Sequence, residues 1–171
     1  GLRSGSGFAM VDGGTFDADK AYKDSKLCNV LLGRELSRRL AEHESPFPVL
    51  SWSPGLVIPR GNEGFFRTSR ACNPLGMTLF ALLARDVLRL TETPARAGEL
   101  LADLCVDNRW SDAGFHYLSN HLIRPGQHRF EAVNTSVEAC DQAKATALWT
   151  HSSELIQAVL PGAQPSGRLE L

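Results

Sequence analysis

The chain has 171 residues, of which 43% are hydrophobic and 22% are charged, and its formal net charge is −1. These values are ordinary for one globular domain with a proper core. A charge so close to zero does not favour a nucleic-acid partner, and no apolar run approaches the ~20 residues that span a bilayer.

The first 17 residues are predicted to form a long loop. They begin with Gly1-Leu-Arg-Ser-Gly-Ser-Gly7, which has the Gly-x-x-x-Gly-x-Gly spacing of a dinucleotide-binding turn. Such a turn needs a strand before it and a helix after it, because the phosphate binds the amides at the helix N-terminus. No strand precedes this stretch and Asp12-Gly-Gly14 soon follows, so we predict a flexible Gly/Ser loop instead.

Residues 18–43 are predicted to form one helix, capped by Asp17 or Asp19, with an apolar band wide enough to pack on a sheet. Near its start lie Tyr22 and Lys26, whose spacing of four residues puts both on one helix face. A lysine ammonium beside a phenol favours the phenolate, so the phenol gives up its proton more readily. On this spacing alone, an exposed helix without a catalytic role is the better interpretation.

A short buried strand is predicted next. Ser45-Pro-Phe-Pro48 ends the helix, Val49-Leu-Ser-Trp52 forms the strand, and Ser53-Pro-Gly55 stops it. In open α/β sheets, ligands bind beyond the carboxyl ends of the strands. Residues 54–57 lie at such an end, although a lone Pro-Gly pair has little value as a motif.

Residues 58–73 are predicted to form a mobile loop, since they contain two glycines and a proline. Paired aromatic rings such as Phe65 and Phe66 suit a flat ligand, and Arg67 and Arg70 suit ligand carboxylates. The alternative is that both Phe side chains anchor the loop to the core while the arginines are solvated.

The rest of the chain is predicted to add three helices, one more strand, a turn and a frayed tail. The first helix is strongly apolar, and core or lid packing is preferred to a membrane-surface role because its polar face has few basic residues. In chain order these elements occupy residues 75–90, 94–106, 114–118 (the strand), Pro125-Gly126 (the turn), 136–159 and 161–171.

The cysteines and histidines are scattered singly along the chain. There is no Cys-x-x-Cys pair and no cluster with the spacing of zinc ligands. We therefore predict reduced thiols, a reducing compartment and no metal site. The four cysteines are Cys28, Cys72, Cys105 and Cys140.

Three stretches of the chain together carry a family resemblance. They are Met10-Val-Asp-Gly-Gly-Thr-Phe-Asp17, then Lys20-Ala-Tyr-Lys-Asp-Ser-Lys-Leu-Cys-Asn29, and the apolar run that ends in Ser53-Pro-Gly55. The pattern resembles the short-chain dehydrogenase/reductase superfamily and, within it, the light-dependent protochlorophyllide reductases. The match is specific over residues 9–40 and looser over 46–120. It departs from the family at Leu56, where these reductases often have cysteine.

The resemblance implies a fold and a domain organisation. The fold class is α/β, the C-terminal half of a doubly wound, Rossmann-like parallel sheet that is helix-rich and lacks its N-terminal cofactor turn. Residues 1–171 would form a single partial domain, with residues 58–92 as the lid and substrate region and 161–171 as a frayed tail. We therefore expect the chain to be a fragment that is inactive by itself.

The implied reaction is the NADPH-dependent, light-driven reduction of protochlorophyllide to chlorophyllide in chlorophyll biosynthesis. By the same resemblance, Tyr22 and Lys26 are catalytic and also touch the cofactor: Tyr22 would give or relay the proton, and Lys26 would hold the nicotinamide ribose. The further site residues that it implies are Pro54, Gly55, Leu56 and Val57 for the cofactor, and Phe65, Phe66 and Arg67 for the pigment.

The resemblance also implies partners and a location. NADPH is the expected cofactor and protochlorophyllide the expected substrate, whereas no nucleic acid is expected; peripheral membrane association and a homo-oligomer stay open. The location would be the chloroplast in an alga or plant, and otherwise the cytoplasm of a photosynthetic bacterium. Two alternatives remain: an NADP-dependent short-chain reductase acting on a small carbonyl substrate, or a non-catalytic half-domain binding protein.

Overall fold

The computed structural model describes residue 15 and residues 17–61 and 64–160. Within these ranges three strands form one sheet in the order β1-β2-β3, with β1 parallel to β2 and β2 antiparallel to β3. The structure is a helix-rich α/β fold, consistent with part of a Rossmann-like fold. The main elements are α1 (Ala18–Glu42), β1 (Pro48–Ser53), α2 (Gly64–Cys72), α3 (Pro74–Ala81, continued as a π-helix over Leu82–Val87), α4 (Pro94–Val106), β2 (Gly114–Arg124), β3 (Gln127–Ala132) and α5 (Gln142–Val159).

The first helix confirms its prediction. It starts where it does because the Asp17 carboxylate accepts the backbone N–H of Lys20 at 3.0 Å, which satisfies one of the free amides of the first turn. It ends at His43, and Glu44 then takes a positive φ of 53° that turns the chain out of the helix. Local signals were sufficient here, since both ends are determined by residues next to them in sequence.

The strands differ from their predictions. β1 was predicted to be buried but is half-buried throughout, because within the described residues it is an edge strand. β2 extends beyond the predicted end at residue 118 and continues through the Pro125-Gly126 turn into β3, a strand that was not predicted. The turn itself is confirmed, and Gly126 adopts the positive φ of 76° that such turns require.

The predicted loop over residues 58–73 is wrong in its second half, which forms α2. Gly64 begins this helix instead of breaking it. The Arg70 guanidinium in its last turn donates to the carbonyl oxygens of Pro59, at 2.8 Å, and Gly61. These bonds tie the preceding segment back onto the helix, an interaction that glycine and proline counts do not reveal.

The apolar helix predicted over residues 75–90 is confirmed as a helical stretch. Of the two predicted packings, core packing is wrong and lid packing stays a prediction. Only Ala81 and Ala84 are buried, whereas Leu75 is 84% exposed and Val87 is 59% exposed. In the described part of the chain, most of the large apolar side chains of this stretch are exposed to solvent. The other exposed members are Leu79, Phe80, Leu82, Leu83 and Leu88.

The two later helices follow their predictions with one shift. α4 begins at Pro94, and the Thr93 hydroxyl accepts the N–H of Arg96 at 3.1 Å, as a capping residue does. α5 begins at residue 142 instead of 136, because the Asp141 carboxylate caps it through the N–H of Lys144. The predicted tail over residues 161–171 lies outside the described residues, as does the predicted loop over residues 1–17 apart from residues 15 and 17.

Contacts divide the chain into two compact units. Unit 1 comprises residues 1–51, 113–115 and 134–171, and unit 2 comprises residues 52–112 and 116–133. The core of unit 1 joins α1 to α5, and that of unit 2 joins the segment after β1 to α3. The buried members are Cys28, Leu31, Ala145 and Leu148 in unit 1, and Ile58, Ala81 and Ala84 in unit 2. The single partial domain stays a prediction.

A buried carboxylate joins α1 to α5 in unit 1. Glu35 is fully buried, and its oxygens accept hydrogen bonds from Arg38 at 2.7 and 2.9 Å and from Arg39 at 2.8 Å. On the other helix, Gln142 donates at 2.7 Å and Thr146 at 3.2 Å. The hydrogen bonds from Arg38, more than any other contact, lower the pKa of Glu35 to about 2. The carboxylate is therefore charged at neutral pH and stabilises the contact between the helices.

Candidate functional site

The structure brings Tyr22 and Lys26 together on one face of α1, as their spacing predicts. The Lys26 ammonium lies over the phenol ring, 5.3 Å from its centroid. Tyr22 is 50% exposed and Lys26 is exposed, so a ligand can reach both side chains. The Lys20–Asp24 ion pair at 2.7 Å holds the same turn of the helix.

This arrangement suits proton transfer. A cation within about 6 Å of an aromatic ring is attracted to its face, which favours a fixed position for the ammonium beside the phenol. The phenol is a hydrogen-bond donor with one transferable proton, and the ammonium offers three N–H donors. Together they form a half-exposed acid next to a cation that can also bind hydroxyl groups, such as those of a ribose.

The turn after β1 is held in place by a buried amide on β2. Gly55 has a φ of +82°, and a Cβ there would lie 2.5 Å from the Asn120 carbonyl oxygen, so only glycine fits without strain. The Asn120 side chain is buried and donates to the Pro54 carbonyl at 3.2 Å and to the Glu92 carboxylate at 3.1 Å. The turn is thus determined by a close backbone approach as well as by local sequence.

The same turn is held from its other side by the segment that precedes α4. The backbone N–H of Glu92 donates to the Leu56 carbonyl at 2.8 Å, and Val57 pairs with Glu92 in a parallel bridge. The Leu56 side chain is exposed. The predicted cofactor-contacting turn is therefore rigid at its backbone, as a site that contacts a ligand through backbone groups requires.

Neither Asn120 nor Glu92, which position this turn, was predicted from the sequence. One signal was present: Asn120 lies within Leu118-Ser-Asn-His-Leu-Ile123, where a polar amide interrupts a strand. A buried amide has to find hydrogen-bond partners. The identity of those partners depends on the fold, so the sequence contained no signal for Glu92.

The predicted pigment-contacting residues all lie in α2, but they do not share one environment. Phe66 is half-buried and packs against the core of unit 2, which favours the anchoring interpretation. Arg67 is exposed, so it is accessible to a ligand. The carbonyl contacts of Arg70 described above leave it less suited to ligand carboxylates. The Phe65 side chain lies outside the described residues.

The predicted site residues are distributed between the two units. Tyr22 and Lys26 belong to unit 1, whereas residues 54–57 and 65–67 belong to unit 2. Each set is brought together within its own unit. Their assembly into one site stays a prediction.

The described residues show three further features that bear on the chemistry. Burial is the main cause of a raised pKa at the Cys28 thiol, which therefore stays protonated and unreactive, and the cysteines are free as predicted. Over the same ranges, no group of three or more histidine, cysteine or acidic side chains is placed to hold a metal ion. None of the described helices is long and apolar enough to cross a membrane.

Comparison with known proteins gives a consistent set of relatives. No protein-family model matches the chain. Protochlorophyllide reductase A, chloroplastic, from Oryza sativa subsp. japonica is 34% identical over 157 residues, which cover 91% of this chain and 38% of the rice protein. Protochlorophyllide reductase, chloroplastic, from Pisum sativum is 32% identical over 156 residues, covering 91% of this chain and 36% of the pea protein. The chain thus spans a little over a third of the length of these relatives.

Proposed function

Because this chain is a homologue of the protochlorophyllide reductases over 91% of its length, we propose that it forms the proton-donating part of an enzyme of that kind. The proposed reaction is the NADPH-dependent, light-driven reduction of protochlorophyllide to chlorophyllide. One double bond of the excited pigment gains a hydride on one carbon and a proton on the other. The observation that carries the proposal is the Tyr22–Lys26 pair, exposed on one helix face in a chain with these relatives.

Tyr22 and Lys26 have distinct roles in this proposal. When bound, NADPH supplies the hydride. The Tyr22 hydroxyl donates its proton to the second carbon of the double bond and is left as a phenolate. The Lys26 ammonium donates hydrogen bonds to the nicotinamide ribose and stabilises the phenolate by its charge. The lysine therefore serves both cofactor binding and proton transfer.

Unit 2 provides the remaining proposed contacts. The backbone of residues 54–57 would meet the nicotinamide half of the cofactor, which agrees with the hydrogen bonds that hold this turn. Arg67, being exposed, would bind a pigment carboxylate through its fork of N–H donors. Phe65 stays a proposed pigment contact, as the family resemblance implies. Phe66 would position α2 by packing on the core.

The location that we propose is the chloroplast. The rice, pea and Arabidopsis thaliana relatives are all named chloroplastic. A chloroplast protein would encounter both the pigment and NADPH, which suits the proposed reaction. A fusion of the intact gene product to a fluorescent protein in plant cells tests the location directly, and a signal outside plastids contradicts it.

Illumination of the intact gene product with protochlorophyllide and NADPH tests the function. We expect the absorbance of the pigment to shift to that of chlorophyllide in the light, with no conversion in a dark control or without NADPH. Dark reduction of a small carbonyl compound, with the pigment unchanged in light, would instead favour an ordinary short-chain reductase. Tight pigment binding without conversion would favour a non-catalytic binding protein.

A further inference from the structure

Unit 2 contains a cavity whose lining includes residues 58–61 and several residues of 85–92, within the predicted lid and substrate region. Its volume is about 680 Å³, within the range of roughly 300–1,000 Å³ that is usual for small-molecule sites. Its lining comes from four segments: residues 58–61, residues 85–94, the start of α4, and the β2–β3 hairpin. Neither the Tyr22–Lys26 pair nor residues 54–57 line it.

The lining of this cavity carries an excess of positive charge. Four arginines line it against two carboxylates, which leaves an excess of two positive charges with histidine neutral. The first turn of α4 also contributes, and the N-terminus of a 13-residue helix favours negative charge. The arginines are Arg60, Arg85, Arg89 and Arg96, and the carboxylates are Asp86 and Glu92.

Three of the four arginines already have acidic partners. Arg85 and Arg60 both pair with Asp86, at 2.8 and 3.3 Å. Arg96 pairs with Glu99 at 2.8 Å, where both side chains are half exposed or more. Arg60 and Arg85 share one carboxylate and so keep one positive charge between them, whereas Arg96 and Glu99 balance each other.

Arg89 is the exception. Across the described part of the chain, its guanidinium makes no hydrogen bond and no ion pair. An arginine carries five N–H donors and keeps its charge at any pH relevant to proteins. Arg89 is exposed, so its guanidinium is solvated and is free to bind an anionic group that enters the cavity.

The backbone at Arg89 is held in an unfavourable conformation. Its φ of +50° lies in the left-handed region, which residues other than glycine rarely adopt. The Gly126 N–H donates to the Arg89 carbonyl at 2.8 Å, and the Leu90 N–H donates to the Ala84 carbonyl at 2.7 Å. A left-handed residue commonly follows the C-cap of a helix, and Arg89 follows the C-cap Leu88. The two bonds fix the backbone of Arg89 at the cavity.

The remaining lining includes both apolar and polar residues. Ile58 and Leu100 are buried, and Phe130 is held by an edge contact with Trp52, with ring centroids 6.5 Å apart. The polar groups of the lining bond mostly to one another, for instance Asn120 to the Glu92 carboxylate at 3.1 Å. The groups left to meet a ligand are therefore the apolar side chains and the unpaired cation.

We propose that this cavity is a second binding site, for a small organic anion that carries a phosphate or carboxylate group on an apolar body. Arg89 binds the anionic group, with the Arg96 side chain and the first turn of α4 beside it. Ile58, Leu100 and Phe130 contact the apolar body. Binding at this site needs neither Tyr22 nor NADPH, so its test is separate from that of the proposed reaction.

The site is tested by calorimetric titration of the intact gene product with two probes, phenyl phosphate and benzoate. NADPH is present in the titration, so that the phosphate-binding groups of a cofactor site are already occupied. The variant is Arg89→Asn, because asparagine tolerates a positive φ and the backbone is then kept. Loss of a charge-assisted hydrogen bond is expected to raise the Kd of the better-binding probe by about tenfold or more. Arg89→Lys, which keeps the charge, is expected to recover part of the affinity.

The matched control is Arg129→Ala, which removes an arginine from β3 that is 59% exposed and does not line the cavity. Its Kd is expected to stay within about twofold of the unaltered protein. Circular dichroism verifies that each variant is folded. The proposal is overturned if neither probe binds below about 10 mM, or if a folded Arg89→Asn variant binds as tightly as the unaltered protein. An equal loss in Arg129→Ala would also overturn it, because it would indicate attraction by overall charge.

Discussion

Replacing the buried Glu35 by glutamine is expected to destabilise the contact between α1 and α5 strongly. Glutamine keeps the shape of the side chain but, like a protonated acid, has no charge to offer Arg38 and Arg39. The pKa of the carboxyl is lowered from 4.5 to about 2. At about 1.4 kcal/mol for each pH unit, neutralising it in the folded state costs on the order of 3 kcal/mol.

The pH dependence of this effect has a definite sign. Since the folded-state pKa is lower than the unfolded one, the charged carboxylate contributes its full stability above about pH 4.5. The contribution declines as the pH falls and is lost on passing through about 2. The difference in unfolding free energy between the unaltered protein and Glu35→Gln should therefore be largest at neutral pH and shrink in acid.

Urea denaturation at pH 7 and pH 3, followed by circular dichroism, measures this difference. Glu42→Gln is the matched control, since that carboxylate also pairs with Arg38 but is 57% exposed. We expect the control to lose about 0.5 kcal/mol or less, as exposed pairs do. The reasoning is refuted if Glu35→Gln loses no more than Glu42→Gln at pH 7, or if its loss is as large at pH 3 as at pH 7.

Three further substitutions test other parts of the account. Gly55→Ala should cost ~1–3 kcal/mol of stability in thermal denaturation, because its Cβ would meet the Asn120 carbonyl oxygen. The control Gly98→Ala should be neutral or stabilising, since no atom lies within 4 Å of a Cβ at that position. Equal effects of the two variants on stability would contradict the close approach at Gly55. Phe66→Ala should lower the melting temperature, because the ring packs on the core of unit 2, and it should leave the KM for the pigment unchanged in the folded fraction. A raised KM for the pigment without loss of stability would instead place this ring against the pigment. Lys26→Ala should weaken NADPH binding in calorimetry and slow turnover together; a loss in only one of the two would separate the proposed roles.

Elements with local signals were predicted well from the sequence. α1 and α4 begin at capping residues that precede an apolar pattern, Asp17 and Thr93, and both starts are confirmed. The Tyr22–Lys26 face follows directly from helical geometry. The turn at Pro125-Gly126 was likewise found from residue types alone.

Features that depend on distant residues were not predicted. The helix α2 was missed because its stabilising bonds run from Arg70 to carbonyls outside the helix. β3 was missed because its exposed and half-buried positions alternate among mainly polar residues, and its pairing with β2 is what makes it a strand. The role of Asn120 in holding the Gly55 turn likewise depends on a contact across 65 positions of sequence. In each case the partner, and not the residue type, determines the structure.

The most direct measurement of the central proposal is the light-driven turnover of Tyr22→Phe, which keeps the ring and removes the transferable proton. The chain has two tyrosines, so Tyr117→Phe, a half-buried residue of β2, provides a control with the same chemical change. We expect Tyr22→Phe to bind pigment and NADPH normally and to turn over ~10²–10⁴-fold more slowly, as loss of a positioned acid does, while Tyr117→Phe keeps its activity. Turnover of Tyr22→Phe at the rate of the unaltered protein under saturating light would contradict the assignment of Tyr22 as the proton donor.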